Sequence, residues 1–322
     1  PDSLLLVGRK CQYDTNKGWR VWGDTMAVAL LNNLICETAK GISTVPLAEE
    51  LPGAWPAHMP FQRKVYNWYA SRSDQMQPVH GFRGPYQTAW LTLDEHCGTH
   101  IDAPSHFIPP PGSGLPHEGH LGTVSLEQLS LTRMMGPAAV IDVTELNDTT
   151  SGGVSPEITP EHITAWEDGH GELMPGEIVL FRSDWDERYL PMPDGSGYVF
   201  DPFVLGKGSG WPTPGIPALE LLLDRKVTTI GLDGVSVGAA HNGAPPHQFG
   251  LGRGMLYIEL LANLKAMPPR GAYVIFLPLH IRGGSAGPGR AIGLVPKSAC
   301  EKVLGGGVAC VDDPQSLRHR PD

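Results

Sequence analysis

The sequence predicts an α/β fold built around a parallel or mixed β-sheet. Short runs rich in Val and Ile alternate with segments that carry helix-forming residues at helical spacing. Strands that alternate with helices in this way are typical of α/β domains. Gly and Pro are numerous, at 40 and 31 of 322 residues, so we expect a loop-rich chain.

The N-terminal part contributes one helix and one strand to this prediction. Apolar residues within 24–40 mix helical spacing with good helix formers, and Gly41 follows as a stop signal. The next segment, 42–56, begins with a short β-branched run and contains Pro52 and Pro56. This pattern predicts a strand that leads into an irregular loop.

Four further strands and three further helices follow along the chain. The strand segments are apolar and β-branched, as buried strands are: AAVIDVTEL, EIVLFRS, VTTIGLDGVSV and AYVIFLPL. The helix segments are TPEHITAWEDG, PALELLLDRK and MLYIELLANLKA. Pro and Gly concentrate in 108–122 and 191–217, and loops of that length often form binding sites or lids.

The composition indicates a globular protein and argues against several classes of partner. Hydrophobic residues make up 41% and charged residues 18% of the chain. The net charge of -10 opposes nucleic-acid binding, which needs clustered Lys and Arg, although it leaves a small anionic substrate open. With no apolar run near ~20 residues, we expect neither a membrane span nor a signal peptide. The five scattered cysteines lack a C-x-x-C pair, which predicts no disulfide framework and a cytoplasmic protein.

The most informative segment is LDEHCGTHIDAPSHF, residues 93–107. Within eleven positions it holds His96, His100, Asp102 and His106. Imidazole nitrogens and carboxylate oxygens are natural ligands of Zn, Mn and Fe, and so dense a cluster outweighs the alternative of structural histidines. Gly98 and Pro104 favour a turn over a helix. Structural zinc sites usually use Cys, so we expect a catalytic ion here and expect Cys97 to pack away from it.

This segment resembles the H-x-G-T-H-x-D-x-P-x-H signature of the cyclase family of metal-dependent hydrolases, which includes bacterial kynurenine formamidase and isatin hydrolase. LAEELPGAWP is similar to the family's opening strand and Pro-containing loop, and GLDGVSVG to its later strand that ends in an Asp. His247 and Glu259, in HQFGLGRGMLYIELLANL, resemble the family's second ligand segment, a His followed by a helix that carries Glu. The likeness spans residues 39–297.

The resemblance implies a mixed-sheet, swivelling β/β/α-type single domain over residues 39–297. Residues 1–38 would then form an N-terminal extension with a helix, and residues 298–322 a C-terminal tail. The resemblance also implies a homo-oligomer, a dimer or a tetramer, in which a neighbouring chain contributes to the pocket wall.

The resemblance further implies a role for each candidate ligand. One divalent ion would be bound by His96, His100 and Asp102, and a second position would be completed by Asp102, His247 and Glu259. The two oxygens of Asp102 allow it to bridge, and a Glu within an apolar segment needs a positive partner. Gln248 is an alternative ligand if one ion is bound. We expect Zn, with Mn as the alternative, and His106 falls where the family places its proton-transfer residue.

Such a site predicts hydrolysis of an acyl C–N or C–O bond in a small molecule. A divalent ion lowers the pKa of bound water toward ~7 and polarises a carbonyl. His106 would take up a proton and return it to the leaving group. A Ser mechanism is not favoured, because no G-x-S-x-G is present. The alternative function is a non-catalytic, metal-dependent binding protein, although such a protein has no need of a free imidazole beside the ion.

The substrate class follows from the resemblance and remains broad: a cyclic amide, an imide, a lactone or an aryl formamide. Expanded loops at 108–122 and 185–215 distinguish the chain from compact formamidases and argue against formylkynurenine itself. The predicted ring-binding residues are Trp55, Trp90 and Trp185, with Trp211 and Tyr189 as further candidates. Cationic side chains that could steer a carboxylate-bearing substrate are Arg182, Arg188 and Lys207.

Overall fold

The computed structural model describes residues 61–69, 85–191 and 193–295, together with the backbone of five short strands nearer the N-terminus. Four of these strands pair antiparallel in chain order: β1 (Leu4–Leu6), β2 (Arg9–Asp14), β3 (Gly18–Val21) and β4 (Ala27–Val28). The fifth is β5 (Ser43–Thr44).

Twelve more strands follow. They are β6 (Gln62–Trp68), β7 (Gln87–Thr92), β8 (His100–Asp102), β9 (Met135–Asp142), β10 (Glu157–Ile158), β11 (Ile178–Arg182), β12 (Thr213–Pro214), β13 (Thr229–Leu232), β14 (Leu256–Glu259), β15 (Leu261–Ala262), β16 (Arg270–Pro278) and β17 (Ala286–Leu294). Short pairs are formed by β6 with β7, β10 with β12, and β15 with β5.

Seven strands close into a mixed barrel in the order β11-β13-β14-β8-β17-β16-β9. The pairs β9–β11, β11–β13 and β13–β14 are parallel. All pairs that involve β8, β16 or β17 are antiparallel. The fold is therefore a mixed α/β fold, which confirms the predicted class.

Three α-helices accompany the barrel: α1 (Pro160–His170), α2 (Ile216–Asp224) and α3 (Ala244–Leu251). Each carries Pro in its first turn, where the missing N–H costs no helical hydrogen bond. Short 3-10 turns occur at Pro104–His106, His120–Thr123, Leu126–Gln128, Leu131–Arg133, Thr144–Leu146, Trp185–Arg188, Asp194–Gly197 and Leu264–Ala266, and a π-turn at Phe200–Val204. No helix in the described part of the chain has the length and apolarity needed to cross a membrane.

The central residues of the parallel barrel strands β9, β11, β13 and β14 are buried on both faces, whereas β16 alternates buried with more exposed positions. Along β9, Ala138 and Val140 join one apolar cluster with Ile101 and Ile258, whereas Ile141 belongs to another. That other cluster contains the inner faces of the helices, including Ile163, Trp166, Leu219, Leu222 and Leu251. Burial on both faces explains why these strands read as continuous apolar runs in the sequence.

Most of the predicted elements are confirmed, and one of the helices predicted in the C-terminal half is wrong. The four predicted central strands correspond to β9, β11, β13 and β16, and two predicted helices correspond to α1 and α2. The predicted helix over MLYIELLANLKA is instead β14, β15 and the turn Leu264–Ala266. All four residues of β14 are buried between β13 and β8, so pairing in the barrel outweighs the helix propensity of Leu and Glu.

The helix α3 is absent from the sequence prediction, although it carries a predicted ligand, His247. Two prolines near its start disguise it, since Pro suits only the first turn of a helix. Of the predicted helix over 24–40, the structure describes only Ala27–Val28, which form a strand. The remainder of that segment lies outside the described residues, as does the tail 298–322, and the predicted domain boundaries stay a prediction.

Candidate metal centre

The centre is organised around β8, which carries His100 and Asp102. Strand pairing sets β8 between β14 and β17, and the register places Glu259 opposite His100. Gly98, at φ 68°, adopts the left-handed conformation that the preceding loop needs to bring His96 back toward the strand. Backbone pairing therefore brings Glu259, from a distant segment, next to His100 and Asp102, and the preceding loop returns His96 to the same point.

His247 reaches the same point from α3. Its Nε2 lies 3.5 Å from Asp102 Oδ2 and 3.3 Å from Glu259 Oε1. Its Nδ1 lies 2.8 Å from the carbonyl of Gly243, at the start of the helix. Phe107 stacks on this imidazole, with ring centroids 4.3 Å apart and planes inclined by 21°. The structure thus brings together the five predicted ligands from both predicted segments: His96, His100, Asp102, His247 and Glu259.

The remaining distances describe a compact cluster around Asp102, called here the cage, whose other members are His96, His100, His247 and Glu259. His96 Nδ1 and His100 Nε2 lie 3.1 Å and 3.3 Å from Asp102 Oδ1. His100 Nε2 is also 3.5 Å from Glu259 Oε2. His100 and Asp102 are 0% exposed, so water does not compensate their polar atoms.

The cage fits a cation because several of its buried polar atoms have no hydrogen-bond partner. Both oxygens of Asp102 and Nε2 of His100 are buried without a partner in hydrogen-bonding geometry. Buried polar atoms of native proteins are nearly always satisfied, so atoms that converge without partners indicate a missing ligand. Imidazoles and carboxylates together are a donor set suited to Zn or Mn.

Two groups of donors at the cage could hold an ion, and they share Asp102. The first is His96, Asp102 and His106, and the second is His100, Asp102 and Glu259, with ligand atoms within 4.8 Å of one another in each group. This grouping supports the predicted bridging position of Asp102. It differs from the predicted ligand sets in one respect: His96 shares its donor group with His106 and not with His100.

His106 lies in the short turn Pro104–His106 and is partly exposed. Its ring centroid is 3.9 Å from that of His96 and 5.8 Å from that of His247. Burial lowers the pKa of His106 to about 3. The carboxylate of Asp102 opposes this shift, and the charges of the neighbouring imidazoles add to it. The side chain is therefore neutral at physiological pH.

The charges of the cage are strongly coupled. Burial by itself would lower the pKa of His100 and His247, but the carboxylates of Asp102 and Glu259 raise each pKa to about 10. Burial opposes ionisation of Asp102, yet the surrounding imidazoles hold its pKa well below the usual range. Without a metal, two imidazolium protons balance two carboxylates, and a divalent cation would take the place of those protons.

Glu259 is held by a loop that the sequence analysis had treated only as part of a strand. The Val237 N–H and the Ser236 hydroxyl donate to Glu259 Oε1 at 2.7 Å and 3.0 Å. The indole N–H of Trp211 donates to the carbonyls of Ser236 and Gly238 at 2.7 Å and 3.0 Å, which locks this loop. The only signal for these contacts was GLDGVSVG, which resembles the family without revealing which residues touch Glu259.

The Asp that ends β13, Asp233, has a structural environment. It accepts hydrogen bonds from the Ser183 N–H and hydroxyl and from the Asp184 N–H. Burial raises its pKa to about 7. Asp184, Asp186 and Asp233 lie close enough to hold an ion, but Asp184 is already paired with Arg182, which leaves a satisfied turn after β11.

The predicted aromatic substrate contacts lie in three different surroundings. Trp185 is 0% exposed, packs edge-on against Trp211 and donates its indole N–H to the carbonyl of Tyr198, so it is a core residue in this structure. Trp90 is 61% exposed on β7. Trp55 lies outside the described residues. An aromatic side chain at the cage that the sequence analysis did not single out is Phe107.

Two of the three cationic side chains predicted to steer a substrate are engaged in ion pairs. Arg182 pairs with Asp142 and Asp184, and Arg188 pairs with Asp148 and lies over the ring of Trp185. Cys97 is 1% exposed and belongs to neither donor group of the cage, as expected for a packed thiol.

A family model described as a putative cyclase matches residues 43–239, more than half of the chain. The chain belongs to the cyclase family. It is 34% identical to isatin hydrolase of Roseibium aggregatum over 217 residues, which cover 65% of this chain and 75% of that protein. It is 28% identical to kynurenine formamidase of Salinibacter ruber over 243 residues, which cover 74% of this chain and 89% of that protein.

Solved structures agree with this membership. The fold of this cyclase-family chain is similar to that of isatin hydrolase A from Labrenzia aggregata bound to benzyl benzoate, with a TM-score of 0.62. That match has 28% sequence identity and covers 80% of this chain and 93% of the other.

We predict that substitution of the cage residues lowers metal content. Asp102→Ala should lose most bound metal because Asp102 belongs to both donor groups, whereas His96→Ala and His100→Ala each remove one donor. Elemental analysis of purified, dialysed protein measures the stoichiometry. His120→Ala, at an exposed position outside the cage, is the matched control. Unchanged metal content in all three cage variants would show that the ion is bound elsewhere.

Proposed function

We propose that this protein is a metal-dependent hydrolase that opens an acyl C–N bond in a small cyclic amide or imide or in an aryl formamide, with lactones as the wider class. The observation that carries the proposal is the pair of orphaned Asp102 oxygens, enclosed by imidazoles and lying beside a neutral His106. The names of the relatives, isatin hydrolase and kynurenine formamidase, support the bond type.

The residues that would hold one or two ions are His96, His100, Asp102, His247 and Glu259. A divalent ion, Zn or Mn, supplies acidified water and a polarised carbonyl when bound. Asp102 and Glu259 provide the negative charge that retains such an ion inside a buried cage. Their burial excludes bulk water, which strengthens each electrostatic contact in the site.

His106 is suited to move the proton of the reaction. It is uncharged at neutral pH and more exposed than His100, so it can face a substrate while the other imidazoles stay enclosed. It would accept a proton during attack on the carbonyl and return it to the leaving nitrogen, as a general base and then acid does. Its place in the donor group with His96 keeps a direct ligand role open to experiment.

Phe107 supports an aromatic substrate. Its ring contacts both His106, at 4.6 Å between centroids, and His247, at 4.3 Å. A partly exposed phenyl ring at the rim of a polar cage offers a stacking surface for a ring fused to the scissile amide. We therefore propose Phe107, and not the buried Trp185, as the aromatic side chain that contacts the substrate.

We also propose that two copies of the chain associate through β6 and β7, called here the β6–β7 ribbon. A two-stranded ribbon is marginal by itself. Six apolar or aromatic side chains on the ribbon or directly next to it are 45–64% exposed: Val65, Trp68, Tyr69, Tyr86, Trp90 and Leu91. Side chains alternate along a strand, so consecutive residues such as Trp90 and Leu91 place apolar surface on both faces of the ribbon. A second copy presents the same apolar side chains and is the occupant that we propose.

The first test of the function combines a substrate panel with metal removal. We expect turnover of at least one member of a panel of aryl-fused cyclic amides, imides, lactones and formamides, followed by absorbance. Treatment with a chelator should abolish the activity, and added Zn or Mn should restore it. Full turnover by metal-free protein would exclude the mechanism. Tight ligand binding without turnover of any compound would instead favour the metal-dependent binding protein.

The second test separates proton transfer from metal binding. His106→Ala should keep most of its metal and lose about 10²–10⁴ in kcat, the usual contribution of a general acid–base group. Elemental analysis and steady-state kinetics on one preparation supply both values, with His120→Ala as the control. Loss of the ion would identify His106 as a ligand, and full turnover would transfer the proton-transfer role to another group, with Glu259 as the next candidate.

The third test concerns assembly. Light scattering of the wild-type protein should give a mass of two or four chains rather than the 34.7 kDa of one. The double substitution Trp68→Lys and Trp90→Lys should lower that mass by placing like charges in the contact. Leu131→Lys, at a position 55% exposed outside the ribbon, should leave it unchanged. A wild-type mass of one chain at working concentration would contradict the proposal.

A further inference from the structure

The imidazole of His96 is oriented differently from those of His100 and His247. These two turn Nε2 toward the carboxylates, and their Nδ1 atoms lie 2.8 Å from the carbonyls of Gly98 and Gly243. His96 presents Nδ1 instead, 3.1 Å from Asp102 Oδ1. Its Nε2 lies 3.4 Å from the hydroxyl of Ser285. Backbone carbonyls therefore hold the rings of His100 and His247, whereas a side chain, that of Ser285, holds the ring of His96.

That side chain is itself held by a carboxylate. The Ser285 hydroxyl donates to Glu95 Oε1 at 2.7 Å, and the Ser285 N–H donates to Glu95 Oε2 at 3.1 Å. An ionised carboxylate only accepts hydrogen bonds, so the hydroxyl hydrogen of Ser285 is committed to Glu95. The oxygen of Ser285 then offers a lone pair to His96, and Nε2 of His96 must be the donor.

The direction of this chain of hydrogen bonds determines the tautomer of His96. With hydrogen on Nε2, the lone pair of neutral His96 lies on Nδ1, the atom that faces Asp102 and the cage. That is the form in which an imidazole binds a metal ion. We propose that Glu95, acting through Ser285, is a positioning residue that holds His96 in its metal-binding tautomer and orientation.

The fold builds this contact from distant parts of the chain. Glu95 precedes His96 directly, but it acts through Ser285, 190 positions away. Pairing of β17 with β8 sets Ala286 opposite Asp102, and the Ser285 carbonyl accepts the Ala103 N–H at 2.8 Å. Gly284 leaves room for the carboxylate, since a Cβ there would lie 3.0 Å from Glu95 Oε2.

A neighbouring carboxylate provides a matched control. Glu127 accepts the N–H of Gly283 at 2.9 Å, so it anchors the same loop in the same way as Glu95. No described contact joins Glu127 to an imidazole of the cage. If Glu95 merely anchored this loop, removal of either charge would have a similar effect on the metal centre.

The proposal rests on the proposed metal centre and not on the identity of the substrate. Its test is the affinity for zinc, measured by competition with a chromophoric chelator. Ser285→Ala should weaken zinc binding by ~10–100-fold, the usual effect of removing an outer contact of a ligand. Ser285→Thr, which keeps a hydroxyl, should restore most of the affinity. Glu95→Gln should weaken binding in the wild type yet add less than about twofold to Ser285→Ala, because both act on one contact. Glu127→Gln should bind zinc as the wild type does.

A second readout reports the tautomer directly. Nitrogen-15 NMR of the zinc-loaded protein should show hydrogen on Nε2 of His96 in the wild type, and loss or exchange of that signal in Ser285→Ala. Wild-type zinc affinity in both Ser285→Ala and Glu95→Gln, or hydrogen on Nδ1 of His96, would overturn the proposal. A wild-type protein that binds neither Zn nor Mn would overturn the metal centre together with it.

Discussion

The buried carboxylate of Asp102 is the constraint on which the rest of the site depends. An ionised carboxylate inside a protein costs several kcal/mol unless positive groups surround it. Asp102 is wholly buried, and neither of its oxygens has a hydrogen-bonding partner, so its charge is compensated by the surrounding imidazoles and would be compensated further by the cation that we propose. Those imidazoles come from the loop before β8, from β8 itself, from the turn after it, and from α3. Displacement of any of these elements would leave the Asp102 carboxylate in the protein interior with less positive charge around it.

The barrel supplies the rigidity that such a cage requires. Strand β8 has only three residues, yet it pairs on both sides, with β14 and β17. Side chains alternate along a strand, so His100 and Asp102 point to the cage while Ile101 joins the apolar cluster that the strands enclose. The same short segment thus anchors the core on one face and presents ligands on the other.

Support for the ligands comes from a surrounding layer of hydrogen bonds. Carbonyls of Gly98 and Gly243 orient two imidazoles, and the N–H of Val237 orients Glu259. Backbone contacts of this kind survive most side-chain substitutions. The contact of Ser285 with His96 is a side-chain contact, so point mutation can alter this part of the support.

The sequence by itself determined the local chemistry and the class of fold. His96, His100, Asp102 and His106 lie within eleven positions, so their proximity needs no long-range contact, and apolar runs with strand or helix periodicity predicted most of the central elements. Tertiary structure alone decided that Glu259 stands on a strand opposite His100, that Trp185 is core, and that Ser285 connects Glu95 to His96. Each of these depends on which strands pair and what they bury, and pairing between distant segments leaves no periodic signal in either segment.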